Sequence, residues 1–397
     1  MKPALLLYCQ HSVGIGHLMR SLAIAEALSR TFRVVFLNGG VFPPGVTAPR
    51  HMEIIDLPPL GLEDRQLVSR GGEQDVERVK AFRREMILGT YDRVRPAVVL
   101  VELFPFGRKK FAYELLPLLK RARRAPAPRP RVWCSVRDIL VAARPDQQHH
   151  DDRARWLCDR YFDGVLVHAD PLLAEFSESF RPSRPMGVPV HYTGFVTRSE
   201  ATVPAPARGD HILVSAGGGL AGGPLLRAAV AAHALLPSDR RPPMRVVAGP
   251  FLPESDWEAL QAAVQSNAAI ELVRSVPDLG AEMRRAAVSV SQCGYNTAMD
   301  ILGARVPALV VPYAEQREDE QTNRARRLAA LGLMRVLEPV ALTPQALAVE
   351  IAATLPFRPT ASTLALDGGP KTAAIVARDY EEVSLHNDPR EGRQRVA

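Results

Sequence analysis

The sequence predicts an α/β protein made of two doubly wound, Rossmann-like domains that face each other across a cleft. Three observations predict it. Short apolar runs of strand length alternate with helical stretches along the whole chain. The alternation restarts after a Pro- and Gly-broken segment near residue 200, and each half opens on the same unit of strand, glycine loop and helix.

In the first half, Ala4 to Cys9 (ALLLYC) reads as a strand and Gly14-Ile15-Gly16-His17 as its loop. The helix that follows carries Leu18, Leu22, Ala25 and Leu28 at helical spacing, with Arg20 and Glu26 on other faces. Arg33 to Leu37, Ala97 to Val101, Val132 to Val136 and Gly164 to His168 read as further strands. Their uninterrupted apolar character implies a parallel sheet covered on both faces by crossover helices.

The segment Thr197 to Asp210 is poor in apolar residues and broken by Pro204, Pro206 and Gly209, which suits a linker. The expected division is a first domain over 1–197, a linker over 198–209, a second domain over 210–385 and a polar tail over 386–397. The second domain opens with His211 to Ser215, the loop AGGGLAGG and a helix from Pro224 to Leu236, proline being favoured at the first helical position. Arg245 to Ala248, Ile270 to Val273, Val288 to Ser291 and Ala308 to Val311 supply four more strands. A last helix, Lys371 to Val383, either ends this domain or packs back on the first.

At 397 residues, with 47% hydrophobic and 23% charged residues, the composition is that of an ordinary globular protein and excludes a disordered chain. No uncharged apolar run approaches the roughly 20 residues a membrane helix needs, and Ala4 to Cys9 is too short for a signal peptide. The expectation is a cytoplasmic protein, free or peripheral at the inner face of the membrane. Cys9, Cys134, Cys158 and Cys293 show neither paired nor zinc-ligand spacing. The net charge of +7 is uneven: residues 1–200 hold 30 Lys and Arg against 22 Asp and Glu, and the remainder 20 against 21, so the basic surplus belongs to the first half.

A glycine-rich turn between a strand end and a helix exposes backbone N–H groups at the positive end of the helix dipole, where a diphosphate can bind. Ala216 to Gly223 holds five glycines in eight residues, among them Gly217, Gly218 and Gly219. A purely packing role for that loop stands beside the functional one. Neither glycine loop is GxGxxG or Walker A, which removes the dinucleotide and P-loop readings. No Asp-x-Asp motif suits a diphosphate-bound cation, so no metal and no cofactor is expected.

His17, at the junction of loop and helix, has an ordinary pKa near about 6.5, suited to proton transfer at neutral pH. It is a candidate base, with diphosphate binding or a core imidazole as alternatives. Glu102, at a strand end, is the second candidate base; the alternative is a surface carboxylate paired with Arg108. Arg137-Asp138 reads as an acceptor-pocket pair or as a structural ion pair. From Arg108 to Arg131 nine basic residues and one acidic, Glu114, are interleaved with Phe104, Phe106, Phe111, Leu115, Leu116 and Leu119 in and just before the run. That pattern fits an anionic membrane surface or an ordinary solvated amphipathic helix. Nucleic acid is not expected, since no recognition motif accompanies the run.

The stretch SQCGYNTAMDILGARVPALVVPYAEQREDEQTNRA (Ser291 to Ala325), together with GIGHLMRSLAIAEAL, resembles the GT-B glycosyltransferase family that contains the peptidoglycan enzyme adding N-acetylglucosamine to lipid I. ELFPFGRKKFAYELLPLL and SVRDIL are more similar to a bacterial group of predicted N-acetylglucosamine transferases acting on lipopolysaccharide-like acceptors. The resemblance implies a C-terminal half that holds a UDP-sugar and an N-terminal half that holds the acceptor. It places Gly294, Tyr295, Asn296 and Thr297 at a helix start facing the diphosphate. Asp300 takes the place of the acidic residue, usually Glu, that binds the ribose. Arg274 and Val276 fall in the segment whose backbone contacts the base, and Glu320-Gln321 in the donor-sugar motif. Gly14, Gly16, Arg108, Arg137 and Asp138 fall on the acceptor side.

The implied reaction is inverting, metal-independent transfer of a hexose, N-acetylglucosamine or a relative, from UDP to an acceptor hydroxyl on a lipid-linked or lipopolysaccharide-like partner. Three rival readings stand: a UDP-sugar hydrolase similar to that of the pseudaminic acid pathway, a UDP-sugar 2-epimerase, and a non-catalytic nucleotide-sugar sensor.

Overall fold

The computed structural model describes residues 2–11, 16–43, 46, 48–63, 66–72, 75–140, 144–197, 209–238, 241–314 and 320–386. In chain order the first half carries β1 (Ala4–Cys9), α1 (Gly16–Leu28), β2 (Arg33–Asn38), β3 (Glu53–Asp56), β4 (Leu60–Glu63), β5 (Gln66–Ser69), α2 (Val76–Val94), β6 (Val98–Glu102), α3 (Ala112–Arg124), β7 (Arg131–Arg137), α4 (Gln147–Tyr161), β8 (Gly164–His168), α5 (Phe176–Ser179) and β9 (Val190–Tyr192). The second half carries β10 (Ile212–Ser215), α6 (Gly223–Leu235), β11 (Met244–Val247), α7 (Glu254–Val264), β12 (Ile270–Val273), α8 (Leu279–Arg285), β13 (Val288–Ser291), α9 (Tyr295–Ala304), β14 (Ala308–Val310), α10 (Glu320–Ala330), β15 (Arg335–Val336), α11 (Pro344–Thr354) and α12 (Gly368–His386).

Two parallel sheets result, with strand orders β3-β2-β1-β6-β7-β8-β9 and β12-β11-β10-β13-β14-β15. Both follow the doubly wound order, in which the direction of winding reverses between β1 and β6 and between β10 and β13. At such reversals the loops part and leave a crevice beyond the strand ends. Parallel sheets must be covered on both faces, and every residue of Leu5–Cys9 and Val98–Val101 is at most 1% exposed. The strands β3, β9 and β15, not anticipated from the sequence, are short and half-exposed. So is the separate antiparallel hairpin of β4 and β5 over most of its length.

The last helix lies on the first sheet. Val376 packs among Leu5, Leu18 and Val34, Tyr380 meets Phe32 edge-on at 5.8 Å, and Asp379 accepts hydrogen bonds from Arg131 at 2.6 and 2.7 Å. Residues 198–208 of the expected linker and 387–397 of the expected tail lie outside the described residues.

The basic run is resolved by packing. Phe104, Phe106, Phe111, Leu115 and Leu119 are all at most 2% exposed, and Arg123, Arg129 and Arg131 gather on Asp163 at 2.7 to 3.3 Å. Of the two readings of the run, these apolar residues follow the amphipathic helix: α3 turns Leu115 and Leu119 into the core, and Phe104, Phe106 and Phe111 are buried in the segment that precedes it. No described helix is long and apolar enough to cross a membrane.

Candidate active site

Glu102 ends β6, next to β1 at the first reversal, and is 1% exposed. His17 stands at the start of α1, and its Nδ1 lies 2.6 Å from Glu102 Oε1. Arg20, one turn further on, donates to the same oxygen at 2.6 Å, while Arg108 Nε stays 3.9 Å from Oε2. The two candidate bases are thus one unit; Glu102 is buried and not a surface carboxylate, while its pairing with Arg108 is present as this longer ion pair.

Burial opposes ionisation of Glu102, but His17, Arg20 and Arg108 outweigh it and hold the carboxyl well below the usual range. For His17, burial first, with Arg108 and Arg20, outweighs the pull of Glu102 and holds the imidazole well below its ordinary value. Both signs favour a neutral imidazole beside a carboxylate at pH 7. Nδ1–H then donates to Glu102 and Nε2 carries the lone pair. With 18% of the His17 side chain exposed against 1% of Glu102, the imidazole reaches solvent while its partner stays dry.

The chain turns sharply after Glu102. Leu103 and Arg108 both sit in the left-handed region, at φ 65° and 59°, which costs about 1–3 kcal/mol per non-glycine residue. Leu103 N bonded to Ser135 O at 2.8 Å and Gly107 N bonded to Leu103 O at 2.9 Å hold that turn. It brings the Arg108 guanidinium back towards the carboxylate.

At the second reversal, Gly294 caps α9 in extended backbone. A Cβ at Gly294 would meet nothing within 4 Å, one at Gly217 only Thr297 Oγ1 at 3.6 Å, and one at Gly16 only Asn296 Nδ2 at 3.9 Å. Asn296 Nδ2 donates to Gly16 O at 3.2 Å. Gly16, Gly217 and the start of α9 therefore border uncrowded space in front of a helix N-terminus, the chemistry of an anion site.

The other glycines of the loop serve packing. A Cβ at Gly219 would come within 2.7 Å of Ala248 O and one at Gly222 within 2.3 Å of Ala216 Cβ, while Gly218 O accepts from Phe251 N at 2.9 Å. Asp300 is half-buried in α9 and faces Gly280 at the start of α8. The Arg274 side chain braces the neighbouring loop: it donates to Leu252 O at 3.0 Å, pairs with Glu254 and stacks on Trp257 at 4.5 Å. Val276 packs, half-buried, against the core.

Three expectations change here. Arg137 and Asp138 do not pair with each other: Asp138 takes a bidentate bond from Arg324 at 2.7 and 2.9 Å, both residues fully buried, and Arg137 pairs with Glu320. These two thus meet α10, which carries the donor-sugar motif. Gln321 Oε1 accepts from Cys293 N at 3.0 Å and Tyr313 N at 3.1 Å, stapling the loops after β13 and β14. Tyr295 turns away from the donor space into the first half, where its hydroxyl donates to His168 O at 3.1 Å and accepts from Val196 N at 3.0 Å.

Gly14 lies outside the described residues. Among the described residues no group of three or more His, Cys, Asp or Glu could hold a metal ion. Sequence reasoning missed Arg20 and Arg324. The only signal for Arg20 was its place three residues after His17, on a face that proves buried.

Residues 252–366 match the glycosyltransferase family 28 C-terminal domain. The UDP-N-acetylglucosamine--N-acetylmuramyl-(pentapeptide) pyrophosphoryl-undecaprenol N-acetylglucosamine transferase of Alkalilimnicola ehrlichii is 32% identical over 186 residues, 44% of this chain and 51% of that protein. The enzyme of the same name from Cupriavidus metallidurans is 27% identical over 354 residues, 85% of this chain and 86% of its own. These matches mark the chain as a glycosyltransferase, similar to family 28 in its C-terminal half. Its fold is shared with the crystal structure of Acinetobacter baumannii MurG, at a TM-score of 0.54 over 97% of this chain and all of that one, with 15% identity. In this glycosyltransferase the family-28 match takes in α9, its Gly294 cap and Glu320-Gln321, while the His17–Glu102 pair lies outside it.

Proposed function

We propose that this glycosyltransferase moves a hexose, N-acetylglucosamine or a close relative, from a UDP-sugar to an acceptor hydroxyl, with inversion and without a metal ion. One observation carries the reading: a buried carboxylate, bonded to an imidazole that reaches solvent, stands beside Gly16, which touches the start of α9. His17 Nε2 takes the acceptor proton as the oxygen attacks the anomeric carbon. The bond from that carbon to the diphosphate oxygen breaks on the opposite face, and UDP leaves with the electron pair. Glu102 keeps the imidazole in the required tautomer and stabilises the imidazolium that forms. The N–H groups at the start of α9 and at Gly217 stabilise the developing charge on the diphosphate.

The relatives are named for UDP-N-acetylglucosamine and an undecaprenyl-linked acceptor, which supports that donor and a lipid-linked saccharide as the first pair to test, with a lipopolysaccharide-like saccharide next. With the aromatic residues of the basic run buried, contact with an anionic membrane rests on charge alone and should disappear at high salt. The deciding assay is UDP release from UDP-N-acetylglucosamine with and without such acceptors, in buffer and with a chelator. Acceptor-dependent release that survives the chelator supports the proposal. Free sugar without acceptor indicates a hydrolase, and binding without turnover a sensor.

A further inference from the structure

We propose that Arg20 is a positioning residue that ties the start of the donor helix to the His17–Glu102 base. The proposal rests on the assignment of that pair as the base. Arg20 lies one turn after His17 on α1, so their side chains share a face. It is 2% exposed, and its guanidinium donates to the carboxylate oxygen that also binds the imidazole, at 2.6 Å, while lying 3.5 Å from His17 Nδ1. Its other side covers the Tyr295 ring, with Cζ 5.3 Å from the centroid. Tyr295 is the first residue of α9 and is itself pinned through its hydroxyl to Val196 and His168.

One guanidinium therefore sits between the first residue of the donor helix and the carboxylate that orients the base. Its Nε is buried without a hydrogen-bond partner. An orphaned buried donor is costly, so Arg20 is held by the carboxylate and the ring, not by full satisfaction of its own donors. Arg108, the other nearby cation, makes no hydrogen bond to Glu102 at 3.9 Å.

The charge around the pair follows from the groups that face it. Burial raises the Cys9 thiol and the Tyr295 phenol and lowers the His11 and His168 imidazoles, which leaves these four neutral at pH 7. Arg20 and Arg108 then stand as two cations against the one carboxylate. Losing Arg20 removes a positive charge beside His17, so the imidazole binds a proton more readily. The carboxylate also loses the contact that sets its angle to Nδ1.

The test follows the His17 imidazole by NMR in the full chain with isotope-labelled histidine, its signal assigned by its loss in His17→Ala, alongside UDP release from UDP-N-acetylglucosamine with an undecaprenyl-linked saccharide. Arg20→Gln is expected to raise the His17 pKa measurably, by less than burial and Arg108 lower it, and to lower kcat at least tenfold. Arg20→Lys keeps the charge but cannot span both carboxylate and ring, so it should keep the low pKa and still lose turnover. A lysine variant with wild-type kcat, or an unmoved pKa in folded Arg20→Gln, overturns the proposal while His17→Ala remains inactive. Turnover that survives in His17→Ala overturns the base assignment and this proposal with it.

Discussion

Replacing Glu102 by Gln changes one atom at the centre of the site. The carboxylate is 1% exposed and accepts from both His17 and Arg20 through a single oxygen at 2.6 Å. An amide of the same shape can keep both hydrogen bonds through its one oxygen, with its nitrogen in the place of Oε2, but it carries no negative charge. The imidazolium that forms as His17 takes the acceptor proton then has no buried counter-charge beside it. Breaking a buried ion pair outright costs about 3–5 kcal/mol, but the retained hydrogen bond to Arg20 should limit the loss here to about 1–3 kcal/mol. The expected result is a folded enzyme whose kcat is lower by about 10²–10⁴, with UDP affinity unchanged because Glu102 touches no donor-side residue. Steady-state UDP release and calorimetry with UDP read the two separately. A folded Glu102→Gln enzyme with wild-type kcat would refute the dyad.

Gly294→Leu should fold normally, since its Cβ meets nothing within 4 Å, yet lower UDP affinity by about tenfold or more; calorimetry giving the wild-type affinity would remove the donor site from the start of α9. Asp138→Asn strips the charge partner from fully buried Arg324, leaving Glu320 at 2.5 Å, and should cost up to about 3–5 kcal/mol. Paired Asp138→Leu and Arg324→Met should recover most of that loss in denaturant unfolding, and a double variant as unstable as the single one would count against the pair.

Burial is the main cause that holds His11, His17, His150 and His168 below their ordinary value. Below about pH 6.5 the unfolded chain therefore binds more protons than the native one, so stability should fall as pH drops from neutrality towards 5. Glu102, Asp138 and Asp163, whose carboxyls are held low in the native state, should add their loss only below about pH 4. An unfolding midpoint that stays flat between neutrality and pH 5 would show that these imidazoles are not buried neutral.

Much of the site was legible as position and little of it as partnership. His17 and Glu102 stood out because strand ends in an open α/β sheet are where ligands and reacting groups collect. They appeared as rivals because their contact joins residues 85 positions apart. Gly294 and Gly217 were legible, but glycine content alone could not separate Gly217, which borders open space, from Gly219 and Gly222, which are small because another backbone or side chain presses on them. Arg83, Arg324 and Glu114 are each 0% exposed, which nothing in the local sequence indicates. Their burial depends on partners that only folding supplies, such as the Arg83–Glu114 pair at 2.7 Å.

Apolar runs and glycine turns along the chain were enough for the two α/β halves, because strand length, periodicity and turn chemistry are local properties of sequence. Tertiary structure alone decided which charges meet. It joined His17 to Glu102, moved Arg137 and Asp138 onto α10, drew Tyr295 out of the donor space, and buried the aromatic residues that resembled a membrane face. Those outcomes depend on the relative placement of elements far apart in sequence, and electrostatic and packing energies act over a few ångströms of space, which no sequence spacing specifies.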